Sequence, residues 1–297
     1  MAKINDDGFL ELSGVNNKVF QDVLNAEKFS ILSELSPLSL RVLNQASHVL
    51  QVAQGVEMMH AGDTPHDLYF INKGSVSIGK RTDGDMKVVA KLIAGNFYGE
   101  YGALRGKTRF ASVYTAEPSE IIRIDLNAVK QVFDADANFK ARVYEVMHER
   151  MLNSFLFSHL VFRKITADAR NILAKDLKVV ELERDEMLFR EGDIADKYYM
   201  ILSGEAEITV TLNEVSTVVE VRRENGVLGE VRAQKGEVYA YGVYAANSLD
   251  LIVLDKQSMQ SIKKVYPDAL ALLNQVMNHS AKKTALILQN TFEKNKS

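Results

Sequence analysis

Two stretches of this chain lie over one another without a gap. HAGDTPHDLYFINKGSVSI at 60–78 and REGDIADKYYMILSGEAEI at 190–208 are separated by a constant 130 residues. Gly62–Asp63 falls on Gly192–Asp193, Tyr69 on Tyr199, Ile71 on Ile201 and Gly74 on Gly204. The spacing persists through Gly99–Glu100 on Gly229–Glu230 and Val113 on Val243, then Ile122, Ile124 and Asp125 on Ile252, Leu254 and Asp255. One dipeptide match carries no weight, but many landmarks at a single spacing mark a duplicated unit. The 297 residues are therefore read as two copies of one domain, each large enough to bury its own core. The expected boundaries are an N-terminal extension at 1–28, a first domain at 29–155, a helical connector at 156–165 and a second domain with a C-terminal helix at 166–297.

Within each copy the apolar pattern is mainly that of strands. LYFINKGSVSIGKRT and AEITVTLNEVSTVVEVRR alternate apolar and polar residues, as half-buried strands do. Asp83–Gly84 and Asn213–Glu214 fit hairpin turns between them. Many short strands joined by turns predict a closed sandwich or roll. Helical patterns flank them. Residues 34–50 predict a helix with Leu35, Leu40, Leu43 and Val49 toward the core. Phe139, Val143, Met147, Met151 and Phe155 recur every fourth residue, which puts them on one helical face. The C-terminal helix carries a less regular stripe of Leu270, Leu273, Met277, Thr284 and Ile287. Packing on its own roll accounts for most of that stripe; a homodimer seam is the alternative.

The stretch YGEYGALRGKTRFA, residues 98–111, is the chemically informative one. It lies between two strand patterns and holds a turn with a short helix. Small residues at Gly99, Gly102 and Ala103 let a ligand approach the main chain. Backbone N–H groups at a helix start favour an anion, and Arg109 adds the two-pronged geometry that a phosphate takes. A carboxylate repels a phosphate, so Glu100 is expected to accept a hydrogen bond from a ligand hydroxyl instead. A ribose 2′-OH beside a single phosphate meets all three demands, which is the chemistry of a cyclic nucleotide.

These residues also carry a resemblance. Each half resembles a cyclic nucleotide-binding domain, the family shared by catabolite activator proteins, protein kinase A regulatory subunits and cyclic-nucleotide-gated channels. That family's phosphate-binding cassette runs F-G-E-L-A-L and then P-R-A-A-T-V; here YGEYGAL and TRFASV stand with Glu100 and Arg109 nine apart. The resemblance implies a mainly β fold with flanking helices, built as two tandem β-rolls of jelly-roll type. It further implies that Gly99, Glu100, Tyr101, Gly102, Arg109, Phe110 and Ala111 line a phosphate–ribose pocket. Phe110 departs from the family's usual Ala, Ser or Thr; the lack of a Thr leans toward cAMP over cGMP. Counting without gaps against the catabolite activators places their base-contacting hydroxyl near Ser154, although a helix hydroxyl is more often solvated or bonded to its own backbone.

The second copy keeps Gly229 and Glu230 but has Tyr239 where the repeat calls for Arg. Arg232 and Lys235 fall several residues early. This site reads as degenerate, retained as scaffold. Other function classes are excluded in turn. The six histidines lack metal-site spacing, and no Walker loop or dinucleotide fingerprint is present, so neither an enzyme nor a cofactor is expected. Neither a recognition helix nor a basic face is evident, and the net charge of −3 gives no pull toward DNA or anionic membrane. The first 28 residues hold no Arg-Arg-x-Ser/Ala bait for a kinase. With no cysteine, no signal-type apolar run and no membrane-length segment, a cytoplasmic protein is expected. The expected function is a cAMP receptor, with cGMP as the other possible ligand, that signals through an unknown protein effector. A non-binding structural adaptor is the alternative.

Overall fold

Alternation along the strands builds two cores from one sheet. In the first copy Leu68 and Phe70 face a helical layer together with Ile122, Ile124, Val129 and Phe133. The intervening Tyr69 and Ile71 turn inward to meet Val76, Tyr98, Val113 and Ile121 inside the roll. The structure, a computed structural model, describes residues 3–4, 10–11, 23–82, 85–231 and 238–294. It divides into two compact units, Met1–Met147 and His148–Ser297.

The first unit runs α1 (Pro37–Gln45), β1 (Ser47–Val52), β2 (Glu57–Met59), β3 (Asp67–Lys73), β4 (Ser75–Thr82), β5 (Asp85–Ile93) and β6 (Phe97–Tyr98). It continues through α2 (Glu100–Arg105), β7 (Ser112–Thr115), β8 (Ser119–Asp125) and α3 (Leu126–Ala135) into α4 (Ala137–Ser158), which carries the chain across the unit boundary. The strands form two antiparallel sheets ordered β1-β8-β3-β6 and β2-β7-β4-β5, and two short N-terminal strands extend the β1 edge.

The second unit has the same plan. It consists of α5 (Ala167–Asp176), β9 (Lys178–Leu182), β10 (Met187–Phe189), β11 (Tyr198–Ser203), β12 (Ala206–Leu212), β13 (Val215–Arg222), β14 (Val227–Leu228), β15 (Gly242–Ala245), β16 (Leu249–Leu254), α6 (Lys256–Val265) and α7 (Pro267–Lys294). Its sheets read β9-β16-β11-β14 and β10-β15-β12-β13, strand for strand the order of the first roll. Irregularities repeat too: the register slips between Ile78 and Gly79 and again between Ile208 and Thr209. The fold is mainly β with flanking helices, two tandem β-rolls.

Asn213 and Glu214 both take positive φ, 49° and 66°, the type I′ geometry that matches strand twist in a two-residue hairpin. The turn expected at 83–84 lies outside the described residues. One helix boundary differs from expectation: α1 ends at Gln45, and Ser47–Val52 is a strand. Six residues of SHVLQV pair with β8, so Val49 reaches the helical core from a sheet rather than from a helix. The α4 face is as expected, with Phe139, Val143, Met147, Met151 and Phe155 each no more than 3% exposed. On α7, Leu273, Met277 and Thr284 are buried within this chain alone, and Leu288 joins the roll core; Leu270 and Ile287 are half-buried.

Candidate cyclic nucleotide site

The first cassette is pinned from both ends. Gly99 caps α2 with φ of +92°, and Gly106 ends the helix at +61°. A Cβ at Gly99 would stand 2.8 Å from Arg109 Nη1, so both the backbone conformation and the arginine's approach call for glycine. Arg109 is 6% exposed. Its Nη1 donates to the Gly99 carbonyl at 3.0 Å and its Nη2 to the Asp67 carbonyl at 2.8 Å. Among the described residues these bonds use two of the five guanidinium N–H donors. The arginine's backbone bonds Asp63 through its N–H at 2.8 Å and Gly62 through its carbonyl at 2.9 Å. The repeated Gly-Asp pair thus holds the cassette in place.

Charged and aromatic groups surround the guanidinium. Burial lowers the Arg109 pKa from its ordinary value, against the pull of Tyr69, Asp67, Glu100 and Tyr98. Burial pushes the Asp67 carboxyl up despite Arg123 4.0 Å away, and Tyr69 Oη donates to Asp67 at 3.3 Å. A cavity of about 360 Å³ lies alongside, bordered by Tyr69, Asp67 and Arg123, and meets the cassette only at Arg109. Glu100 opens α2 at 8% exposure; Tyr101 and Ala111 are buried, and the Tyr101 and Phe110 rings lie 5.1 Å apart. Gly99, Glu100, Tyr101, Gly102, Arg109, Phe110 and Ala111 therefore come together in one unit. Ser154 lies on α4 in the other unit, with its Oγ buried and without a hydrogen-bond partner among the described residues.

The second cassette keeps the frame and changes the contents. Tyr239 bonds Asp193 through its N–H and Gly192 through its carbonyl, both at 2.9 Å, as Arg109 bonds Asp63 and Gly62. Its phenol donates to the Lys197 carbonyl at 2.9 Å, the counterpart of Arg109 on Asp67. Tyr241 stands where the first roll has Ala111. Its Oη accepts from the Gly229 N–H at 2.7 Å and donates to Glu230 at 2.6 Å. Arg222, in place of Leu92, reaches Glu230 at 2.5 Å and Glu220 at 2.9 Å and also donates to Thr284 and to the Val227 carbonyl. Ser280 donates to Glu230 at 2.8 Å, and the Thr284 hydroxyl stands 3.0 Å from the same carboxylate. Burial pulls the Arg222 pKa down, but Glu230, Tyr241 and Glu220 more than offset it and leave it above its ordinary value. Protein groups thus occupy Gly229 and Glu230.

Sequence reading found Gly229, Glu230 and Tyr239 but missed Arg222, Tyr241 and the α7 hydroxyls. Extending the 130-residue comparison through the strands would have exposed Tyr241 against Ala111. The same spacing sets Thr284 on Ser154, so the helix position that closes over the second cassette corresponds to the unpartnered hydroxyl on α4. Arg232 and Lys235 lie outside the described residues. Among the described residues no His, Asp or Glu group can hold a metal, and no helix is long and apolar enough to cross a membrane.

Both rolls match known proteins in sequence. The family model for the cyclic nucleotide-binding domain matches residues 49–136 and 179–266, both ends displaced by the repeat spacing. The cAMP-dependent protein kinase regulatory subunit of Mucor circinelloides is 23% identical over 84% of this chain and 55% of its own length. The cAMP-activated global transcriptional regulator of Pasteurella multocida is 27% identical over 45% of this chain and 66% of its own. Among solved structures, the regulatory domain of Toxoplasma gondii protein kinase A with cAMP covers 82% of this chain and 90% of its own, at 20% identity and a TM-score of 0.36. The chain spans about half the length of the regulatory subunits it matches, 55% and 54% for two of them. It belongs to the cyclic nucleotide-binding domain family.

Proposed function

We propose that this protein is a non-catalytic cyclic nucleotide receptor that takes one ligand, cAMP, in its first roll. The observation that carries this reading is the contrast between Arg109 and Tyr239 in otherwise matching frames. One roll offers a buried guanidinium, and the other ties the same carbonyl with a neutral phenol. In the first roll Arg109 takes the phosphate and Glu100 the ribose hydroxyl. The second roll serves as a surface for a protein effector, through which a cytoplasmic receptor without a catalytic centre signals. Calorimetric titration with cAMP, cGMP and a cyclic dinucleotide tests the reading: cAMP gives saturable heat and the tightest isotherm. Absence of heat from all three would support the adaptor function instead.

A further inference from the structure

The second roll carries a largely buried ion pair on a strand where the first roll is apolar. Glu220 and Arg222 alternate on β13, so their side chains leave the same face of the strand. At the repeat spacing the first roll has Ala90 and Leu92 there. Arg222 is buried, and each of the five guanidinium N–H groups meets an acceptor. Nε donates to Glu220 at 3.2 Å, Nη1 to Glu230 at 2.5 Å and to the Val227 carbonyl, and Nη2 to Glu220 at 2.9 Å and to Thr284. On α7 the polar contacts come from Ser280, Lys283 and Thr284, whose spacing of three and four residues puts them on one helical face. Ser280 donates to Glu230 at 2.8 Å and Lys283 to Glu220 at 2.9 Å. Apolar packing does not do this instead: between Met277 and Leu288 the buried residue of α7 is Thr284.

We propose that the second cassette is a guanidinium site filled in cis by Arg222, and that this contact latches α7 over the roll. Two carboxylates, a carbonyl and a hydroxyl converge on one planar cation, a set of acceptors that is the inverse of what a phosphate takes. A buried carboxylate without a partner is costly, and Arg222 is the partner of Glu220 and Glu230 at once. Because the same guanidinium also bonds Thr284, neutralising the cassette and holding the helix against it are one event. The cation belongs to the chain, so the latch is closed whether or not a nucleotide is present. This holds whatever the first cassette binds.

Hydrogen exchange on the intact chain tests the latch in wild type, Arg222→Ala and Thr284→Val. Arg222→Ala speeds exchange across 278–290 by at least about tenfold, for lost hydrogen bonds to charged groups, while β11 and β16 keep their protection. A low, non-denaturing concentration of guanidinium chloride restores protection in Arg222→Ala, and the same concentration of sodium chloride does not. Thr284→Val removes the helix end of the contact and leaves every charge paired. It loosens 278–290 in the same sense, gains nothing from guanidinium, and decides the matter should Arg222→Ala fail to fold. Unchanged exchange over 278–290 in either variant overturns the proposal, and so does a loosening in Thr284→Val spread equally over β11 and β16. Equal rescue by sodium chloride also overturns it, because the site would then reflect charge screening alone.

Discussion

Tyr239 does for its backbone what Arg109 does, without the charge. Each side chain crosses to the same strand start, at Lys197 or Asp67, and holds the first residues of the neighbouring strand. Restoring the arginine is therefore not enough to restore a site. Tyr241 still caps the Gly229 N–H, and Arg222 still neutralises Glu230. In an Arg109→Ala background, where any binding reports the second roll, Tyr239→Arg alone gives no detectable uptake of cAMP by calorimetry. Adding Tyr241→Ala and Arg222→Leu, the residues that the first roll carries, produces measurable binding. Binding from Tyr239→Arg alone contradicts the account of the filled pocket.

At the scale of elements, α7 gains its position from polar as well as apolar contacts. Thr284 and Ser280 reach Glu230 while Leu288 joins the core, so the helix is tied to the cassette it covers. Another buried polar group lies where α4 gives way to a turn. The His159 ring stacks on Phe155 at 4.8 Å and lies 5.7 Å from Phe162, and Nδ1 accepts the Val161 N–H at 3.2 Å. Burial lowers its pKa from 6.5 to about 4, so the folded state favours the neutral ring. That stabilisation is complete above pH 6.5 and drains away as the pH falls toward 4, by roughly 3 kcal/mol at most. His159→Phe flattens the decline of thermal midpoint over this range; an unchanged slope would show that the imidazole does not titrate there. The legibility of these elements differs for physical reasons. Strand alternation, positive-φ turns and the α4 stripe are local patterns, and the sequence displays them openly. The Arg222 cluster arises when a strand residue meets a helix residue 62 positions later, and no local pattern encodes that meeting. The helix expected to run to residue 50 failed similarly, because apolar spacing cannot distinguish α1 from a strand that finds its partner in β8.

Across the whole molecule, one architecture appears twice with different electrostatics. Sheet order, bulges and the Gly-Asp brackets recur, while the two cassettes hold different side chains. Such a chain is expected to have one responsive roll and one fixed roll, joined through the continuous helix α4. The measurement that tests this most directly is the calorimetric stoichiometry of cAMP on the intact chain, in wild type and in Arg109→Ala. Removing one partner of a buried charged contact costs about 2–5 kcal/mol, or at least about thirtyfold in affinity. Wild type saturates at one nucleotide per chain, and Arg109→Ala abolishes nearly all uptake while staying folded. Two nucleotides per chain, or tight residual binding in Arg109→Ala, would contradict the account.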